Sequence, residues 1–199
     1  MSSEPIQTKE PATTAMSVAQ PLDLASLFGR VAPLEVDLGS GHGTFLLEMA
    51  AKFPARNFIG VEKYGRRVRK TARFGEDRGL ANVRVLLVEN EYAVRVLMPP
   101  GSVDVFHVAF ADPWPKRRHW PRRLINDRFL DAAHRALRAG GELRVQTDHA
   151  GYGEWIEARV SKRADFARMD WPDDPDYPRT DFERRFAGQR FYRARLRKI

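Results

Sequence analysis

The sequence predicts an α/β fold with a mostly parallel, doubly wound sheet and an antiparallel strand at its C-terminal end. Three observations predict it. Five short β-prone stretches alternate with helix-period segments between Leu34 and Val160, the signature of βαβ units. The first stretch ends in Asp37-Leu38-Gly39-Ser40-Gly41-His42-Gly43 and runs straight into a helical segment, which is how such sheets build nucleotide pockets. After Gln189 the pattern changes to strict alternation, which marks a half-exposed strand added antiparallel to the rest.

Leu34–Leu38 reads as a buried strand and Thr44–Phe53 as a helix that Pro54 ends. Asn57–Glu62 is the second strand, Lys63–Arg78 a basic helix closed by Gly79, and Asn82–Val88 the third strand. A short helix, Glu91–Leu97, precedes the breaker Pro99-Pro100-Gly101. Val103–Phe110 is the fourth strand. A Pro/Trp-rich loop then runs to Pro121, and Arg122–Leu137 carries Leu124, Ile125, Phe129, Ala133 and Leu137 at helical spacing. Gly140-Gly141 stops that helix. Glu142–Gln146 is the fifth strand and Tyr152–Val160 a helix. Trp171–Pro178 is an acid- and proline-rich loop, and Gln189–Arg197 sets Tyr192, Ala194 and Leu196 against arginines on the opposite face.

At 199 residues and 43% apolar, the chain has room for one well-cored domain. Residues 1–25 are rich in Ser, Thr, Pro, Ala and Gln, lack an apolar signal core, and are expected to be a disordered tail. Residues 26–199 form the single domain, with a basic C-terminal segment. The absence of cysteine excludes a disulfide framework and thiolate metal sites. No apolar run reaches the ~20 residues that span a bilayer, so the expected location is the cytoplasm. The net charge of +8 is unevenly placed. Arg184 to Lys198 holds seven cations and no acid, and Lys116, Arg117, Arg118, Arg122 and Arg123 form a second cluster. Clustered positive charge is the footprint of a polyanion partner.

The glycine spacing narrows the ligand. A dinucleotide fingerprint, G-x-G-x-x-G, needs glycine at 44, where Thr44 stands. The observed G-x-G-x-G, with Asp37 two residues ahead, suits S-adenosylmethionine, which has no phosphate to cradle but carries a charged amino-acid end. Gly39, Gly41 and Gly43 let the backbone turn tightly against it. Glu62, ending the second strand, is placed to accept hydrogen bonds from ribose hydroxyls. Glu89 and Asn90, ending the third, are placed for the adenine edge. The loop Phe110-Ala111-Asp112-Pro113-Trp114-Pro115-Lys116-Arg117-Arg118-His119 lies where ligands meet in doubly wound sheets. Its prolines stiffen Asp112, its aromatic can stack on a base and its cations can hold phosphates.

From Leu34 to Glu183 the chain resembles the tRNA (guanine-N7)-methyltransferase family of class I, S-adenosylmethionine-dependent enzymes. The motifs are the glycine turn, Asn57-Phe58-Ile59-Gly60-Val61-Glu62, the Asp112 loop, Gly140-Gly141, Thr147-Asp148 and Thr180-Asp181-Phe182-Glu183, like the family's T-x-F-E. The resemblance implies a Rossmann-like class I methyltransferase fold and transfer of a methyl group to N7 of a variable-loop guanosine (position 46) in tRNA. By position, Asp37, Glu62, Glu89 and Asp112 line the cofactor site, with Asp112 the catalytic acid. Lys116, Asp148, Thr180, Asp181, Phe182 and Glu183 contact the guanosine. Arg117, Arg118, His119, Arg122 and Arg123 would hold RNA. A monomer or weak homodimer is expected. Asp37 replaces the family's usual Glu, Ala111 its proline, and Glu89-Asn90 its Asp-Ala or Asn-Ala.

The chemistry agrees with the resemblance. Guanine N7 has an in-plane lone pair and no proton, so the enzyme must align and stabilise charge rather than supply a strong base, a role that suits Asp112 and also Asp148 at the end of the fifth strand. The five histidines (42, 107, 119, 134 and 149) show no ligand spacing, so no metal site is expected. His107, in an apolar strand, is expected to be a core histidine with a hydrogen-bond partner. Two other readings stand beside this one. D-P-W-P is similar to the D-P-P-Y-type loop of exocyclic-amino methyltransferases, which lacks the following cations. A noncatalytic RNA-binding protein on the same fold would not need the intact glycine turn and its acids.

Overall fold

The computed structural model describes residues 20–172 and 177–199. One seven-stranded sheet organises them. Its strands are β1 (Leu34–Leu38), β2 (Asn57–Glu62), β3 (Val83–Leu87), β4 (Val103–Ala109), β5 (Leu137–Thr147), β6 (Phe166–Met169) and β7 (Tyr192–Lys198). The order is β3-β2-β1-β4-β5-β7-β6. The first five pair in parallel, and β7 pairs antiparallel with both β5 and β6. The expected antiparallel end is therefore present, and β7 is inserted between β5 and a short edge strand, β6, that the sequence reading did not resolve.

The helices are α1 (Leu24–Phe28), α2 (Thr44–Lys52), α3 (Gly65–Asp77), α4 (Asn90–Tyr92), α5 (Asp127–Ala136), α6 (Ala150–Val160) and α7 (Asp181–Arg185). Alternation along the strands sends Leu34, Val36, Leu38, Phe106, Val108, Leu143, Val145, Ala194 and Leu196 into the main core with α5 and α6. A second core packs α2 and α3 on β2 and β3 through Leu46, Leu47, Phe58, Val68 and Val85. Beyond α2 the sheet's other face is polar. Buried Glu35 accepts from His107 Nε2 at 2.7 Å and pairs with Arg56. Burial opposes the charge on Glu35, but His107 and Arg56 outweigh it and hold its carboxyl at about 2. His107 is thus the core histidine the sequence implied.

Several boundaries differ for identifiable reasons. Leu22 is buried and Asp23 caps α1, its side chain accepting from Ser26 N at 3.1 Å, so residues 22–25 of the stretch assigned to the tail are part of the fold; residues 1–19 lie outside the described residues. The helix expected from Arg122 starts only at Asp127, where Asn126 Oδ1 caps Phe129 N at 3.0 Å; Arg117–Arg122 form a tight 3-10 turn instead. Gly140-Gly141 do not end a helix. They lie within β5, where the register against β4 shifts between Val103 and Val105 and Gly140 takes φ +72°. After α4 the chain widens into a π turn, Ala93–Leu97. Of the loop Trp171–Pro178, residues 173–176 lie outside the described residues.

Candidate active site

The strand order reverses between β1 and β4, and the crevice outside their carboxyl ends is where a doubly wound sheet binds ligands. β1 ends in the glycine turn. Gly39, Gly41 and Gly43 all have positive φ, +82°, +59° and +77°, which L side chains rarely adopt. At Gly43 a Cβ would also fall 2.2 Å from Thr71 Cγ2, so the turn is clamped on α3. The N–H of Gly41 donates to Glu62 Oε2 and that of Tyr64 to Glu62 Oε1, both at 3.0 Å. Asp37 is buried beneath the turn, and no hydrogen-bond donor among the described residues reaches its carboxylate. Burial, and then the nearby charge of Glu62, push its pKa up to about 7.

A cleft of about 490 Å³ opens above this turn. Gly39, Glu62, Glu89, Asn90 and Asp112 line it together, as the sequence placed them. Asp37, Gly41 and Gly43 do not line it. Lys63, Tyr64, Arg67, Glu91 and Phe110 line it too and were missed. Lys63 to Arg67 follow Glu62 directly, and that proximity was the available signal. Asp112 sits between two strained residues, Phe110 at φ +54° and Trp114 at φ +44°.

Arg123 explains how that strain is held. Expected on the RNA-facing surface, it is 2% exposed. Its guanidinium lies 4.7, 4.8 and 5.2 Å from the rings of Trp120, Trp155 and Tyr152. Its Nε donates to the Pro113 carbonyl at 2.8 Å. Trp155 Nε1 donates to Ile125 O at 2.8 Å, closing the cage on α6. Arg123 therefore holds the Asp112 loop from inside. Lys116, Arg117, Arg118 and Arg122 are exposed, with Arg122 5.0 Å over the Trp114 ring at the cleft rim and His119 edge-on to Trp114 at 5.6 Å.

The T-x-F-E segment forms a capping box on α7. Thr180 Oγ1 accepts from Glu183 N at 3.2 Å, and Glu183 Oε2 accepts from Thr180 N at 2.9 Å. Asp181 accepts from Thr44 Oγ1 at 2.9 Å, and Phe182 stacks on Phe110 at 4.2 Å. Thr180 and Glu183 line a second cavity, about 400 Å³, which shares Ala109 with the first. Asp148 and Lys116 are exposed and line neither.

The basic face of β7 also departs from expectation. Arg195 makes two hydrogen bonds to Glu142, at 2.9 and 2.6 Å, and Arg144 makes two more, at 3.0 and 2.8 Å. Arg193 donates to Glu183 at 2.9 Å, and Arg197 lies 3.9 Å from Glu142. Alternation puts these arginines on one face, as read, but acids from β5 and α7 are already there. Arg193 also lines the second cavity.

Comparison with known proteins decides the family. The family model described as "Putative methyltransferase" matches residues 31–193. A tRNA (guanine-N(7)-)-methyltransferase of Halorhodospira halophila is 41% identical over 169 residues, 82% of this chain and 73% of the relative. One of Sodalis glossinidius is 36% identical over 190 residues, 93% and 79% of the two chains. The chain belongs to the tRNA (guanine-N7)-methyltransferase family. Among solved structures, the antibiotic-resistance methyltransferase Kmr superposes with a TM-score of 0.63 at 19% identity, covering 94% of each chain. The aminoglycoside-resistance methyltransferase NpmB1 gives 0.62 at 18% identity, covering 89% and 92%. These share the Rossmann-like class I methyltransferase fold. Among the described residues no helix is long and apolar enough to cross a membrane, and no group of His, Asp and Glu is assembled to hold a metal.

The family's cofactor, S-adenosylmethionine, fits the donor set. The cleft offers carboxylates at Glu62, Glu89 and Asp112, and Asp37, close to Glu62, has no donor among the described residues. A cationic, hydroxyl-bearing ligand satisfies such carboxylates.

Proposed function

We propose that the protein methylates N7 of a guanosine in tRNA, at variable-loop position 46, in the cytoplasm. The observation that carries this reading is the placement of Asp112. It lines the acidic cofactor cleft from a strained loop whose next residues are an aromatic and exposed cations. When bound, S-adenosylmethionine supplies an electrophilic methyl group on a sulfonium. Glu62 takes the ribose hydroxyls, Asp37 balances the cofactor's ammonium, and Glu89 and Asn90 face the adenine edge. Asp112 carries the catalytic role, offsetting the positive charge that moves toward the base during transfer. Thr180 and Glu183 offer acceptors to the guanine N–H donors, with Asp181, Phe182, Lys116 and Asp148 contributing when RNA is seated. Arg117, Arg118, His119 and Arg122 hold the flanking phosphates.

The target base has to leave its stack to reach the cleft, which is lined by Phe110, itself stacked on Phe182. Mass spectrometry of tRNA nucleosides after incubation with labelled cofactor tests the reading. The expected product is 7-methylguanosine, with Asp112→Ala slower by about 10²–10³ at unchanged fold. A methylated exocyclic amine, or cofactor-independent RNA binding alone, would replace the proposal with one of its rivals.

A further inference from the structure

The basic helix α3 is left unexplained by the site. Its cations fall into a stripe: Arg66, Arg69, Lys70 and Arg73 occur at i, i+3, i+4 and i+7, one helix face. Val68, Thr71, Ala72 and Gly75 are buried on the other. Seven residues at about 1.5 Å each make the stripe about 10 Å long. All four cations are exposed, as is Lys63 just ahead of the helix. Among the described residues Lys63, Arg66, Arg69 and Lys70 have no carboxylate at ion-pair distance. Arg73 has only the exposed Asp77 at 3.8 Å. β7 is the contrast, since its arginines share Glu142 and Glu183.

Two exposed aromatics flank the stripe. Tyr64 is 54% exposed and Phe74 40%. Lys63 and Arg67 lie 5.4 and 5.1 Å from the Tyr64 ring, and Lys70 lies 5.4 Å from that of Phe74. Exposed rings among uncompensated cations suit a polyanion that also carries stacking bases. The stripe begins at the cleft. Lys63, Tyr64 and Arg67 line the cleft, and Trp114 and Arg122 of the Asp112 loop line it with them.

We propose that the outer face of α3 is a second RNA-binding surface, which holds the backbone of the tRNA substrate away from the target guanosine. The proposal rests on tRNA being the substrate. RNA seated over the cleft meets the loop cations and reaches the α3 stripe. The loop then positions the base, and α3 supplies grip that is independent of sequence.

The test is the salt dependence of tRNA binding by the full-length triple variant Arg66→Ala, Arg69→Ala, Lys70→Ala. Alanine is the best helix former and these sites are exposed, so the helix is retained. A glutamine triple variant at the same positions checks the result should alanine alter the fold. Each lost phosphate contact flattens the plot of log affinity against log salt by about 0.7–0.9. Three contacts lower the slope by about 2–2.7, so between 50 and 200 mM salt the wild type should lose about 20–40-fold more affinity than the variant. S-adenosylmethionine affinity should not change. Equal slopes in a wild type that still methylates tRNA would overturn this inference alone. A wild type that neither binds nor methylates tRNA would overturn the substrate reading itself. Loss of adsorption to phosphatidylglycerol vesicles with the tRNA slope unchanged would assign the face to a membrane surface and refute the proposal.

Discussion

The proposed pairing of Asp37 with the cofactor's ammonium predicts that cofactor affinity falls as pH drops. In the cofactor-free protein its carboxyl titrates at about 7, because it is buried and faces Glu62. Pairing with the cofactor's ammonium favours the ionised form and returns the group to the ordinary carboxylate range or below. Binding near pH 6 therefore expels a proton, and the apparent Kd scales as one plus the protonated-to-ionised ratio. That factor is about 1.1 at pH 8, 2 at pH 7 and 11 at pH 6, so Kd should rise about tenfold from pH 8 to 6, or ~1.4 kcal/mol. Calorimetric titration in two buffers of different ionisation enthalpy measures both the Kd and the proton released. Asp37→Asn should bind more weakly and lose the slope, while His42→Asn, in the same turn, should keep it. A wild-type Kd that is flat across this range, or a slope that survives in Asp37→Asn, would refute the assignment. The same shift has a stability consequence. The folded pKa lies above the unfolded value near 3.8, so the native state holds this proton more tightly, and stability is lost as pH rises from about 4 to 7. At about 1.4 kcal/mol per pKa unit the loss is of the order of 4 kcal/mol at pH 8. Asp37→Asn should therefore melt higher than wild type at pH 8, with the gap closing toward pH 4.

Glu62→Ala should weaken S-adenosylmethionine binding by about 2–4 kcal/mol, the worth of two hydrogen bonds to a carboxylate less their exchange with water. It should also move the pH midpoint of binding below 7, because the charge of Glu62 helps raise Asp37; an unmoved midpoint counts against the coupling. Arg123→Met should lower kcat by about 10²-fold through displacement of Asp112 and cost about 2–4 kcal/mol by removing a charged hydrogen bond and the caged cation. Arg123→Lys, which keeps the charge but not the planar fit among three rings, should restore stability more than kcat, and equal loss of both would make the residue merely structural.

Most of the fold was legible because its signals are local. The apolar stretches Leu34–Leu38 and Asn57–Glu62 became strands at the residues read, and the glycines at 39, 41 and 43 announced a turn that only positive φ allows. The acids ending β2, β3 and the β4 loop reached one cleft because a parallel sheet brings its carboxyl ends to one edge. Boundaries failed where capping chemistry outweighed periodicity, as at Asn126, or where a bulge let two glycines stay in a strand.

Charge was the least legible property, and the reason is physical. A sequence gives the sign and spacing of a cation but not what lies across from it. The arginines of β7 and those of α3 look alike as strings, each spaced for one face of its own element. In the fold, β7 lies next to β5 and meets Glu142, while α3 packs on β2 and β3 through apolar side chains and turns its cations outward. Arg123 shows the same effect at a single position. It sits in a run of cations, yet three rings contributed by the 3-10 turn and by α6 draw it inside. Sequence alone assigns the β7 arginines and Arg123 to phosphate and leaves the α3 cations as an unassigned basic helix. Pairing in three dimensions assigns one to the sheet and one to holding the Asp112 loop, and leaves Arg66, Arg69 and Lys70 of α3 without a carboxylate among the described residues, the charge that the proposed RNA surface would balance.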